Sequence, residues 1–152
     1  MAKVIIVYAS LGGNTEEMAE AVAAGVREAG IAPELQSVLD VEAPELEGYD
    51  AVALGAYTWG DGDLPDEFLD FYDGMDTLNL DGRICTTFGS ADSSYPMYGA
   101  AVDLLADKLL ERGAAQVLER LKIELAPSIE ELGECRATGR RLAEALLAAQ
   151  IG

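Results

Sequence analysis

Ser10-Leu11-Gly12-Gly13-Asn14-Thr15 is the stretch that decides the fold, because it stands where an apolar run turns into a helical pattern. Before it lies KVIIVY, residues 3–8, which has no Gly or Pro and is rich in β-branched residues, as a strand buried on both faces would be. After it, Met18, Ala21, Val22, Gly25, Val26 and Ala29 are spaced to share one helix face, and Gly30 closes the segment. Asn14 followed by Glu17 predicts an N-cap with its reciprocal acid. Two adjacent glycines feeding a helix N-terminus leave backbone N–H groups pointing one way, so the loop can hold an anion, with Ser10, Asn14 and Thr15 as added donors. A capped turn with no ligand is the competing reading. No Gly-Lys-Ser/Thr and no G-x-G-x-x-G accompanies the loop, which argues against an NTPase and against a dinucleotide fingerprint.

Working outward, the 152 residues, half of them hydrophobic, suit one domain spanning 1–152. MAKVIIVYAS enters a strand at once and no apolar run reaches membrane-spanning length, so a cytoplasmic location is expected. Cys85 and Cys135 lack C-x-x-C or metal spacing and are expected as buried free thiols. The absence of His removes the usual general base and the commonest metal ligand. With 28 acidic against 10 basic residues the net charge is −18, which repels nucleic acid and anionic membranes and steers basic protein partners.

Strand-type and helix-type segments alternate along the whole chain, predicting a doubly wound parallel sheet with helices on both faces. The expected strands are 3–8, a weak one at 34–39, 51–57, 84–88 and an unbroken fifth at about 116–123. Pro65 opens a helix with Phe68, Leu69, Tyr72 and Met75 on one face, and a later helix carries Ala101, Val102, Leu105 and Leu109 inward up to Gly113. Ser128 and Glu131 predict a capping box for the last helix, in which Gly133 and Gly139 each cost about 1 kcal/mol relative to Ala.

In a doubly wound order the carboxyl ends of strands one, three and four lie side by side. Here those ends are SLGGNT, TWGDGDL and ADSSYPMY, so Trp59 and a Tyr can flank a flat ring while the first loop holds its phosphate. Taken singly, Trp59 is as well explained by packing or by a partner contact.

With these residues in view, the chain resembles a short-chain flavodoxin of the Bacillus type over its whole length, most specifically in AYTWGDGDLPDEFLDFYD, residues 56–73. The resemblance, not the residues, implies the five-stranded order 2-1-3-4-5 with FMN at the switch point. It further implies that Ser10, Leu11, Gly12, Gly13, Asn14 and Thr15, with Thr58 and its neighbour Tyr57, surround the FMN phosphate, and that Trp59 and Tyr95 flank the isoalloxazine. The backbone around Asp92 and Gly99, including Ser90, Ala91 and Tyr98, would meet the pyrimidine edge, and the Gly60-Asp61 peptide would carry a redox-linked turn. Gly12 stands where the family usually has Thr, Tyr57 where some relatives have Ser, and Met97 where some have an aromatic residue, so two hydroxyl donors are missing. The phosphate is expected to be held without a cation, since Lys3 and Arg27 lie outside the loop.

The implied role is a low-potential one-electron carrier shuttling between neutral semiquinone and anionic hydroquinone, not an enzyme. Gly60 makes the peptide turn inexpensive, and Asp61, Asp63, Asp66, Glu67, Asp70 and Asp92 oppose the second electron. One carboxylate at about 10 Å contributes roughly 0.4 to 1.7 kcal/mol, on the order of 20 to 70 mV before salt screening. Basic redox proteins such as a flavodoxin or ferredoxin reductase and acceptor enzymes are the expected transient partners, docking on a monomer. An NAD(P)H-dependent flavin reductase of the same fold is the alternative. A phosphorylation-dependent receiver of that strand order lacks its acidic pair, its Asp and its Lys. A flavin-free interaction module is the third possibility.

Overall fold

A computed structural model describes residues 2–59, 62–94 and 97–151. In chain order the elements are β1 (Val4–Ala9), α1 (Asn14–Glu28), β2 (Glu34–Ser37), β3 (Ala51–Ala56), α2 (Asp66–Gly74), β4 (Ile84–Ala91), α3 (Ala100–Glu111), β5 (Ala115–Gln116), β6 (Leu121–Glu124) and α4 (Ile129–Ile151). The strands are parallel and run β2-β1-β3-β4-β5, with β6 also on β4. This is the expected 2-1-3-4-5 order.

Strand β1 shows why its sequence reads as a continuous apolar run. Ile5 and Val7 join a core with Leu54, Phe68, Met75 and Leu105 on the α2/α3 side. Val4 and Ile6 join Met18, Val22, Ala53, Phe88 and Leu142 on the α1/α4 side. A strand buried on both faces has no polar side to alternate with. The α1 stripe is buried at Met18, Val22, Gly25 and Val26, and Gly30 ends the helix at φ 94°. Ser128 and Glu131 form the expected reciprocal box at the start of α4, with N–H to side-chain distances of 3.0 and 3.1 Å. Both cysteines are buried free thiols. Among the described residues no helix is long and apolar enough to cross a membrane.

Four expectations are corrected. The fifth strand is two short pieces separated at 117–120, because Gln116 turns its side chain onto the Leu118 carbonyl and accepts from Arg120 Nε (3.0 and 3.2 Å) where the chain would otherwise continue the ladder. Strand β4 runs on to Ala91, since β6 pairs with its last residues, Ser90 opposite Ile123 and Ala91 opposite Glu124. On α2 the fully covered positions are Phe68 and Phe71, with Met75 just beyond, while Leu69 is 43% exposed and Tyr72 half-buried. Finally, Asn14 is not the cap of α1: Gly13 occupies that place at φ 93°.

Glycine is also used to bring helices together. A Cβ on Gly139 of α4 would overlap the Val22 carbonyl oxygen and lie 2.8 Å from its carbon, and one on Gly25 of α1 would overlap the Arg136 oxygen and lie 2.8 Å from the Arg140 nitrogen. The two backbones cross in contact at these glycines. Gly133 has no such neighbour.

Candidate functional site

The carboxyl edge of the sheet gathers three strand ends. At the first, Gly12 and Gly13 both take positive φ (79° and 93°), which only glycine adopts readily. The Ser10 hydroxyl accepts from the Glu16 N–H at 3.1 Å, and the Gly13 carbonyl accepts from the Glu17 N–H at 3.0 Å. The N–H groups of Asn14 and Thr15 have no protein acceptor among the described residues. Open donors at a helix N-terminus, beside glycines whose outward side meets nothing within 4 Å, make a fit for an oxyanion. The Thr15 hydroxyl is buried and bonded to Ser90 on β4 at 3.0 Å, which ties the first loop to strand four. Leu11 at the loop tip is 65% exposed. Lys3 and Arg27 lie elsewhere, the former with Nζ 5.1 Å from the Tyr49 ring centroid and the latter in the last turn of α1.

At the second end, the Thr58 hydroxyl accepts from the Ala101 N–H at 3.2 Å, so it caps α3 while its own proton stays free to donate. Trp59 and Asp63 pair through two backbone bonds of 2.7 and 2.8 Å, and Trp59 is half-exposed. Its ring meets Tyr57 edge to face at 6.2 Å, and the Tyr57 hydroxyl points at Glu67 at 3.5 Å. Burial first, then the Glu67 charge, pushes the Tyr57 pKa up. Gly60 and Asp61, together with Tyr95, lie outside the described residues.

The third end follows Ala91. Asp92 accepts from the Ser94 hydroxyl and N–H (2.7 and 2.9 Å), which hold its carboxyl below the usual carboxylate range. Tyr98 is half-buried and Gly99 sits at φ 65° ahead of α3. The second and third ends touch, since a Cβ on Gly62 would lie 2.7 Å from Met97 Cβ.

Residues 6–139 match the family model described as flavodoxin. The chain belongs to the flavodoxin family. It is accordingly an FMN-binding electron-transfer protein and not an enzyme. "Probable flavodoxin 2" of Bacillus subtilis is 43% identical over 95% of this chain and 96% of its own length. The flavodoxin of Maridesulfovibrio salexigens is 39% identical over 87% and 92% respectively. The crystal structure of oxidised Flavodoxin 1 from Bacillus cereus has a TM-score of 0.91 at 52% identity, covering 94% of this chain and 98% of that one.

Within this flavodoxin the described parts of the three loops share one edge of the sheet, and two residues not expected there adjoin the third. Glu124 and Lys122, at the end of β6, bond to the third loop, Glu124 to the Ser93 N–H at 2.7 Å and Lys122 toward the Tyr98 carbonyl at 3.4 Å. The signal was available: in this strand order the end of strand five lies beside that of strand four, so ELAPS belonged on the same edge. Beside Trp59, a groove of about 460 Å³ has an apolar floor of Leu64, Leu69, Tyr72 and Leu104 and a rim of Asp63, Asp66 and Asp73.

Proposed function

We propose that this flavodoxin is a low-potential carrier, built as one domain, in which FMN lies across the three strand ends. The phosphate is assigned to Ser10–Thr15 and Thr58 and the flat ring to Trp59 and Tyr95. The pyrimidine edge is assigned to the backbone at Ser90–Asp92 and Tyr98–Gly99. FMN supplies one-electron chemistry when bound; everything else is the work of the chain. The observation that carries the reading is the pair of unpartnered N–H groups at Asn14 and Thr15, on the same edge as Trp59 and the 92–99 loop. These donors hold a doubly charged phosphate without a neighbouring cation, as a helix N-terminus can.

The acids around Trp59 raise the cost of adding negative charge beside it, which favours a low second potential. The same acids and the apolar groove suit brief docking of basic redox proteins on a monomer in the cytoplasm. Stepwise reduction of the FMN-loaded protein, followed by absorption and potential, tests the reading. Two separate one-electron couples are expected, the second well below that of free FMN. A single two-electron step, or a second couple no lower than that of free FMN, would refute it.

A further inference from the structure

We propose that the end of β6 is a brace that holds residues 92–94 and 97–99 in shape for the cofactor, with Lys122 and Glu124 as its positioning residues. This rests on the site assignment above. Residues two apart on a strand project to the same side, and β6 lies directly against the strand from which the loop springs, Lys122 opposite Gly89 and Glu124 opposite Ala91. From there the two side chains reach the two ends of one loop.

Glu124 takes the entry side. Its carboxylate accepts from both the Ser93 N–H (2.7 Å) and the Ser93 hydroxyl. The next residue, Leu125, donates its N–H to the Ala91 carbonyl at 2.7 Å and takes φ 53°, a conformation a leucine adopts only when its surroundings impose it. Ser94 in turn folds back onto Asp92, so the first half of the loop is tied at every residue from 91 to 94.

Lys122 takes the exit side. Its ammonium donates to Asp103 at 2.7 Å and approaches the Tyr98 carbonyl at 3.4 Å. Arg120 holds the other oxygen of Asp103 at 3.0 Å, fixing the acceptor from the same strand region. The aliphatic stem of Lys122 fills the place where a side chain on residue 99 would stand: a Cβ on Gly99 would lie 2.9 Å from Lys122 Cγ. Gly99 is therefore needed both for its positive φ and for this contact. The Tyr98 hydroxyl has its pKa raised by burial first and then by Glu124, so the acid acts on both halves of the loop.

The Glu124 bonds reach only the loop and its side chain is exposed, whereas Lys122 also joins β6 to α3 through Asp103. Their effect is to remove alternative shapes of a loop that would otherwise have to be ordered when the cofactor binds.

The test is FMN titration of the full chain, read by quenching of flavin fluorescence, with thermal melting and amide exchange of the FMN-free protein alongside. Glu124→Ala is expected to raise the FMN dissociation constant about tenfold, less than the full worth of its two bonds to Ser93, because only the added cost of ordering the loop enters binding. Glu124→Gln, whose amide oxygen accepts from the Ser93 N–H and whose amide nitrogen donates to the Ser93 hydroxyl, should stay within about twofold of wild type. Lys122→Met should raise the constant about fivefold. In the FMN-free protein Glu124→Ala should speed exchange at 93 and 94, leave 12–15 unchanged and melt with the wild type, whereas Lys122→Met should speed exchange at 98, leave 12–15 unchanged and melt slightly lower through the lost Asp103 pair. Wild-type FMN binding that Glu124→Ala leaves intact overturns the brace alone, as does equal damage by Ala and Gln, or a loss of affinity in Glu124→Ala matched by a lower FMN-free melting temperature. Failure of the wild type to bind FMN overturns the functional reading, and this inference with it.

Discussion

Placing alanine at two glycines of the same helix should have opposite consequences. Gly133 and Gly139 both lie inside α4, and alanine gains about 1 kcal/mol over glycine in a helix interior by restricting the unfolded chain and favouring helical angles. At the exposed Gly133 the new methyl meets nothing within 4 Å, so Gly133→Ala should stabilise by about that amount. At Gly139 the methyl would coincide with the Val22 carbonyl, 2.8 Å from its carbon and 3.1 Å from its Cα. Main chain cannot rotate aside, so α1 and α4 must separate along the contact that includes Val22, Cys135 and Leu142. Overpacking of this kind costs about 1–3 kcal/mol, and a rigid obstacle places this case at the upper end.

After the helix-propensity gain, Gly139→Ala should destabilise by about 2 kcal/mol, a gap of about 3 kcal/mol between the two variants. For a chain of this length that corresponds to roughly 6–12 °C in melting temperature. Urea unfolding of the FMN-free protein is the assay, because bound ligand would add its own stabilisation, and an unchanged m-value would show that the unfolded state is the same. If both variants gain stability, or Gly139→Ala matches wild type, the backbones do not meet at that point and the packing argument is wrong.

Three further outcomes are expected of the same structure. Burial raises the Cys85 and Cys135 thiols to about 12, so neither should react with iodoacetamide at pH 8 in the folded protein, and both should react in urea; ready alkylation of the native protein would contradict the burial. Burial works to raise the Asp103 carboxyl, but hydrogen bonds from Lys122 and Arg120 outweigh it and hold it low, and Ser94 holds Asp92 low. Folded pKa values below the unfolded ones give stability that is complete above about pH 4 and lost as pH falls further. Asp103→Asn should therefore show a smaller loss of stability between pH 5 and pH 3 than wild type in urea titrations, and an equal loss would mean the ion pairs are not made. With a net charge of −18 and an acid-rimmed groove beside Trp59, association with a basic reductase should slow steeply between 10 and about 300 mM salt in stopped-flow mixing, since the screening length shrinks several-fold; a flat profile would place docking on another face.

Local chemistry made much of this molecule readable in advance. A strand covered on both faces must be apolar throughout, an amphipathic helix must repeat every three to four residues, and glycines and caps must stand where the backbone changes direction, so β1, α1, α3 and the Ser128–Glu131 box announced themselves. So did the glycine pair at the head of α1, whose unpartnered N–H groups follow from helix geometry alone. What remained hidden depends on which distant segments meet. Nothing near residue 139 distinguishes it from Gly133 until α1 is laid across it, nothing in DSSYP names Glu124 as its partner 31 residues away, and β4 extends to Ala91 only because β6 pairs beside it. Periodicity and turn chemistry are written in neighbouring residues, whereas contact between remote backbones has no local signature and is settled only when the sheet and helices close around the core.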